Sequence, residues 1–262
     1  MPVIFLMVSF FSSLVGAICG IGGGVIIKPV LDAVGVMSVS AVSFLSGCTV
    51  LSMSVISVAK AMRGGSVKIN TKLTTWLALG SVFGGITGKM LFQYIKESFQ
   101  NESTLGLIQS IVMIFITAGT FVYTLKKSQI KTHNFENKLL CFVIGIVLGI
   151  FSSFLGIGGG PINLVILIFF FSMGTKEAAI NSIYIILFSQ IASLLQSIIR
   201  GTIPEVSLLY LVIMVSGGVC GGIAGGMANK KISEDVVDKL FMGLMGIIIL
   251  INCWNAYGFW VQ

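Results

Sequence analysis

Acidic side chains are scarce in this chain, and most catalytic equipment is missing with them. Nine Asp and Glu stand against sixteen Lys and Arg among 262 residues, with one His and four Pro. A soluble domain carries about a quarter charged residues; here the fraction is 10%, too little to cover a water-facing surface. The lone histidine, His133, sits in a hydrophilic central stretch, so no Ser–His pair can form inside the apolar segments. Asp32 is expected to be the only acidic residue inside the membrane, which excludes an intramembrane aspartyl pair. Cys19, Cys48, Cys141, Cys220 and Cys253 lie in apolar runs without metal or redox spacing and read as small hydrophobes. Metal ligands at sensible spacing are missing too. No cofactor is expected, and the chain is not read as an enzyme.

What is abundant is apolar. A hydrophobic fraction of 56% and a mean hydropathy of +1.05 make this an all-α polytopic membrane protein. Apolar stretches run at about 2–20, 24–35, 39–59, 71–92, 104–125, 138–155, 160–173, 177–199, 205–227 and 236–259. Most reach the roughly 20 residues that a helix needs to cross about 30 Å of hydrocarbon. The second and seventh reach only 12 to 14, and each follows a glycine cluster. The runs are continuous and do not alternate with a period of two, which favours a helical bundle over a barrel. Met1 to Ser13 contains no Lys or Arg, so the first segment is expected to stay as a membrane helix and not to be cleaved as a signal peptide. The formal charge of +7 resides mostly in loops flanking the helices, as membrane orientation requires, and implies no nucleic acid.

The chain repeats itself at an offset of 136 to 137 residues. Gly20-Ile21-Gly22-Gly23-Gly24 recurs as Gly156-Ile157-Gly158-Gly159-Gly160, Arg63-Gly64 meets Arg200-Gly201, and Gly80–Met90 meets Gly217–Met227 with seven of eleven positions identical. This spaced agreement indicates duplication. The expected organisation is a transmembrane repeat over 1–127, a cytoplasmic linker over 128–137 and a second repeat over 138–262, each with about five helical segments, four of them long and one short beside the glycine break. An odd number of pieces, or three crossings plus a hairpin, inverts the second half relative to the first. Lys and Arg support that parity. One face then collects Lys60, Arg63, Lys68, Lys72, Lys126, Lys127, Lys131, Lys138, Lys176, Lys230, Lys231 and Lys239, twelve in all, against four on the other. Counting each glycine-broken pair as one long crossing gives nine against seven, without the bias that cytoplasmic loops show. The inverted arrangement places both termini outside the cytoplasm in a multi-pass cell (inner) membrane protein.

Three consecutive glycines weaken a helix by about 1 kcal/mol each relative to Ala, so something must need the break. A broken membrane helix bares backbone N–H groups at the start of the next piece, and in inverted repeats two such ends approach the midplane from opposite sides. Gly22, Gly23, Gly24, Gly158, Gly159 and Gly160 are therefore the candidate anion site, with Pro161 suited to start the second short helix. Gly80, Gly84 and Gly88, and Gly217, Gly221 and Gly225, fall on smooth helical faces and read as packing surfaces. Neither glycine cluster has the context of a nucleotide-binding loop. Lys28 shares a face with Gly24 and either neutralises part of an anion or pairs with Asp32 one turn on. Ser43, Ser46 and Thr49 in one half, and Asn163, Asn181, Ser182 and Gln190 in the other, either donate to the same ligand or join helices. Arg63 and Arg200, at matching positions, either gather anions at the two mouths or anchor helix ends. With so few buried carboxylates to relay protons, the expected coupling is passive: an inside-negative potential drives an anion out with about 2.3 kcal/mol per charge per 100 mV.

The duplicated GIGGG after an apolar helix, the stretch Lys176-Glu177-Ala178-Ala179-Ile180-Asn181-Ser182, and the Arg-Gly turn before a long helix resemble the TauE/SafE family of sulfite and organosulfur anion exporters. The resemblance covers essentially the whole chain. It implies an integral membrane permease that moves small sulfur-containing anions such as sulfite, sulfonates or sulfoacetate without a prosthetic group. The first half departs from the second where Ser38–Ser46 lacks the Asn-Ser pair and Lys28 precedes Pro29. The expected partners are a small anion and the lipid bilayer, with self-association into a homo-oligomer left open. An anion channel of the same architecture, and a scaffold using its glycines only for packing, are the other readings. Alanine at Gly23 and Gly159 is expected to separate carrier from scaffold.

Overall fold

The computed structural model describes residues 2–63, 69–99 and 101–261, so Gly64 and Lys68 of the repeat and charge arguments lie outside the described residues. Among the described residues there are ten α-helices and no strand. They are α1 (Pro2–Cys19), α2 (Gly24–Val34), α3 (Val39–Met62), α4 (Thr71–Phe99), α5 (Glu102–Lys126), α6 (Lys138–Phe154), α7 (Pro161–Phe171), α8 (Thr175–Ile199), α9 (Leu208–Lys231) and α10 (Glu234–Val261). Six of these, α1, α3, α5, α8, α9 and α10, are long and apolar enough to cross a membrane by length and composition. The ends are set by local chemistry. Ser38 caps α3 by accepting from the Ala41 N–H, and Asn137 caps α6 by accepting from Leu139 and Leu140. Gly35 closes α2 in the left-handed conformation at φ 65°.

Contacts give each helix a direction. The terminal face is the end that holds Pro2 and Val261, and the linker face holds residues 127–137. Gly106 of α5 lies against the Phe259 ring of α10, whereas Lys127 at the other end of α5 pairs with Asp238 at 2.8 Å, so α5 and α10 are antiparallel. Parallel pairs form between α1 and α9, with Gly217 on Ser9 and Gly225 on Ala17, and between α4 and α6, with Gly80 on Phe142 and Gly88 on Ile150. In both, a Cβ at the glycine would meet neighbouring main-chain atoms, which is why the small-residue faces bring two backbones together. Helices α3 and α8 cross antiparallel at the centre, Gly47 facing Gln190 and Leu194.

The short helices turn back. Gly23 sits against Ser13, ten residues earlier, and Gly16 backs onto the Gly22–Gly23 peptide, so α1 and α2 form a hairpin. Its α2 end, Gly35, lies with Trp254 and Gly258 at the terminal face. The far end of α7 lies at the linker face, where His133 and Phe135 donate backbone bonds to Phe169 and Phe170 at 2.8 and 3.0 Å. Of the arrangements open to the sequence, the chain thus forms a hairpin at each glycine break and not one continuous helix. The two hairpins come from opposite ends of the bundle.

Candidate functional site

The hairpin tips meet in the middle. Gly22, at φ 76°, and Gly158, at φ 74°, take a left-handed conformation that lets each turn bend sharply between buried helices. A Cβ on Gly22 would stand 3.5 Å from the Gly158 carbonyl oxygen and 3.5 Å from both Val50 of α3 and Ile186 of α8. All six candidate glycines are buried. None of the amides of Gly22, Gly23, Gly158, Gly159 or Gly160 donates to an acceptor among the described residues. Buried backbone N–H groups are almost always paired, so five free donors at one junction are a structural feature that asks for an acceptor.

Hydroxyl and amide groups surround the tips. Ser43 packs on Gly156 and Ser46 on Gly24. The Oγ atoms of Ser43, Ser46 and Ser182 and the Oδ1 of Asn163 are buried without a hydrogen-bond partner. Asn181 is differently engaged: its Oδ1 accepts from the Asn70 N–H at 2.9 Å and the Thr74 hydroxyl at 2.6 Å, and its Nδ2 donates to the Glu177 carbonyl. Its polar atoms tie α8 to α4 and leave little for a ligand. Thr49 donates back to Leu45, and Gln190 donates to Ser152 at 3.3 Å.

A cleft runs from the linker face toward the first tip, between α1, α3, α8 and α9. Ser57, Lys60, Lys176, Ile183 and Lys230 line it. Ala179, also in its wall, touches Gly20. No carboxylate among the described residues pairs with the three ammonium groups, and the Ser57 hydroxyl is buried without a partner. Arg63 and Arg200 cap α3 and α8 at opposite faces, both exposed, and neither lines this cleft. The basic mouth is thus made by lysines that the sequence shows only as loop-flanking charges.

Lys28 takes the paired arrangement. Its Nζ lies 2.6 Å from Asp32 Oδ2, and both side chains are 5% exposed. Polar residues from α5 and α10 enclose this pair: Gln109, Ser110, Asn252 and Asn255, each at most 5% exposed. The only sequence signal for them is polar residues three apart in α10, and an adjacent pair in α5, within otherwise apolar helices.

The family model for sulfite exporter TauE/SafE matches residues 5–251. The chain belongs to the TauE/SafE family. Similar proteins include the probable membrane transporter protein MJ0441 of Methanocaldococcus jannaschii, 26% identical over 94% of each chain. The probable membrane transporter protein YunE of Bacillus subtilis is 25% identical over 97% of each, and YjnA of the same organism is 26% identical over 66% of this chain and 70% of its own. No solved structure matches the chain significantly. As a TauE/SafE protein, it is a multi-pass membrane transporter.

Proposed function

We propose that this transporter exports small sulfur-containing anions such as sulfite, sulfonates or sulfoacetate, held at the junction of the two glycine tips. The observation that carries the reading is the set of five unpaired backbone N–H groups where the tips meet. Donors fixed in a water-poor interior favour an anion, because the oxygen atoms of a sulfonate or sulfite can accept from several at once. Ser43, Ser46 and Asn163 add side-chain polar groups beside the tips. The lysine-lined cleft supplies an approach from the linker face, which is the cytoplasmic side in this reading, with both termini and Gly35 on the other.

Opposed hairpins, antiparallel α3–α8 and α5–α10 pairs, and the exchange of α1–α9 for α6–α4 contacts support inverted repeats over 1–127 and 138–262, joined by a cytoplasmic linker. The cleft opens at the linker face. At the other face Lys89 stands where the repeat places Gly226, its ammonium 4.6 Å from the centroid of the buried Phe92 ring. That asymmetry supports a carrier resting open to the linker side. The test is thermal stabilisation of purified protein by sulfite, sulfate, thiosulfate, sulfoacetate and taurine, followed by flux of the best binder in proteoliposomes. Saturable flux of a binding anion is expected; stabilisation by none of them removes the sulfur-anion reading.

A further inference from the structure

The pair Lys28–Asp32 lies in a polar chamber whose amides also join helices, Gln109 donating to the Phe154 carbonyl at 2.6 Å and Asn255 to the Pro29 carbonyl at 2.9 Å. Between α2, α5 and α10, Lys28, Asp32, Gln109, Ser110 and Asn252 line a small cavity that also touches Ile157 of the second glycine tip. Asp32 opens on its other side into a cavity lined by Gly35, Asn255 and Gly258 at the terminal face. Asp32 Oδ1, Gln109 Oε1 and Asn255 Oδ1 are buried acceptors without partners. The equivalent place in the other half is largely apolar. Met113 shares the chamber with Asn252, and reciprocally Thr120 lies 3.8 Å from Met245, which sets the correspondence of α5 with α10 at 132 residues. Gln109 and Ser110 then match Phe241 and Met242, and Lys28 and Asp32 match Leu164 and Ile168. The other half places no charge on its short helix α7, and its own ion pair, Lys127–Asp238, joins the ends of α5 and α10 beside Ile168 instead, so the repeat does not require an ion pair on the short helix.

We infer that Asp32 is a proton-acceptor site coupled to anion binding through Lys28, so that a proton accompanies each anion. This rests on the transporter reading above. With the site empty, the ammonium holds Asp32 Oδ2. An anion arriving at the second tip competes for that ammonium, and the released carboxylate takes a proton from the terminal-face cavity to become a neutral acid. The charges balance: one negative anion and one proton move together, and Lys28 stays protonated throughout. Among the described residues, Lys28 is the one charged group facing Asp32. Helix α5 presents Gln109 and Ser110, and α10 presents Asn252 and Asn255; α1 carries no charge, and the one charge in α3, Lys60, is at the far face. A single carboxylate so placed replaces the passive, voltage-driven export that carboxylate scarcity implied.

Methanesulfonate, a monoanion across the working pH range, is the probe in proteoliposomes carrying a lumenal pH dye. Wild-type influx should acidify the lumen, and Asp32→Asn should carry methanesulfonate without acidification and in proportion to voltage. Because a lone buried ammonium could compromise Asp32→Asn, the pair Lys28→Leu with Asp32→Ile copies the apolar half; it should fold and lose acidification. Voltage-driven influx without acidification in wild type overturns the coupling while leaving the transporter standing. Absence of all flux instead counts against sulfonate transport, and the site is then read directly from infrared difference spectra between two pH values. A protonated-carboxyl band present in wild type and lost in Asp32→Asn supports the acceptor, and its absence in wild type overturns it.

Discussion

Gly22→Ala is the substitution that separates ligand binding from folding at the tips. The φ of 76° is one that an L side chain adopts at a cost of about 1–2 kcal/mol. The added methyl meets its nearest neighbours at 3.5 Å, an ordinary van der Waals distance, so no collision adds to the strain. For a chain of this size, about 2–4 °C of Tm is lost per kcal/mol, giving a drop of about 2–8 °C. The methyl group, however, fills the gap between the tips. An anion at a hundredfold excess over its Kd stabilises the wild type by about 2.7 kcal/mol, and Gly22→Ala should lose most of that.

The matched control is Gly35→Ala. It has the same left-handed backbone, at φ 65°, but nothing lies within 4 Å of its Cβ position, and it is outside the tips. It should melt lower by a similar amount and keep the full anion response. Gly23 and Gly159 are poorer choices than the sequence implied. A Cβ on Gly23 would press on the α1 backbone at Ser13, 3.0 Å from its Cα, and one on Gly159 would collide with Ile186, so alanine there tests packing in a carrier and a scaffold alike. The assay is thermal unfolding of detergent-solubilised protein with and without sulfite or sulfoacetate. An anion shift in Gly22→Ala equal to that of wild type, or losses equal in Gly22→Ala and Gly35→Ala, would refute the tips as the binding site.

Neutralising Lys60, Lys176 and Lys230 together as Gln should slow anion loading from the linker face about tenfold at low salt, with the difference shrinking as salt screens the field; rates that are independent of salt in both proteins contradict the vestibule. Single cysteines at Val3 and Gly35, in a cysteine-free background, should react with an impermeant maleimide from the same side, and Ser172→Cys from the other. Labelling of positions 3 and 35 from opposite sides means that α1 and α2 form one crossing. A cysteine at Ile180, in the open cleft, should label faster than one at its repeat counterpart Phe44; equal rates remove the one-sided opening.

Helix number and the place of the breaks were legible because each is written in local terms: twenty apolar residues, a five-residue segment with four glycines repeated unchanged, a proline after Gly160. The return of α2 and α7 was not, because a glycine break has the same sequence whether the chain continues or reverses; the choice is made by Gly16 and Ser13, which leave room for the peptide behind them. Asn181 illustrates another limit. It stands beside Ser182 in sequence, but successive residues on a helix point about 100° apart, so one faces α4 and the other the interior. The vestibule lysines come from α3, α8 and α9, and the chamber amides from α5 and α10, so their clustering exists only once the helices pack.

In the proposed carrier of two inverted repeats, duplication would explain what the halves share, and transport in one direction would depend on what they do not. Two identical inverted halves would make the opening at each face a mirror image of the other, equal in energy, and such a carrier would rest half its time facing each way. The tips, Val50 and Ile186, and the glycine faces of α4 and α9 keep that symmetry. Lys89 and Phe92 in place of Gly226 and Asn229, and Gln93 in place of Lys230, break it at the mouths. Burying a phenylalanine is worth about 1.5–3 kcal/mol, and a gap of that size leaves the mirror state populated at only about 0.6–7%. On the proposed carrier reading, the resting side would be set by a few side chains at one mouth. Substitutions there should redistribute the two states without touching the junction where both halves meet.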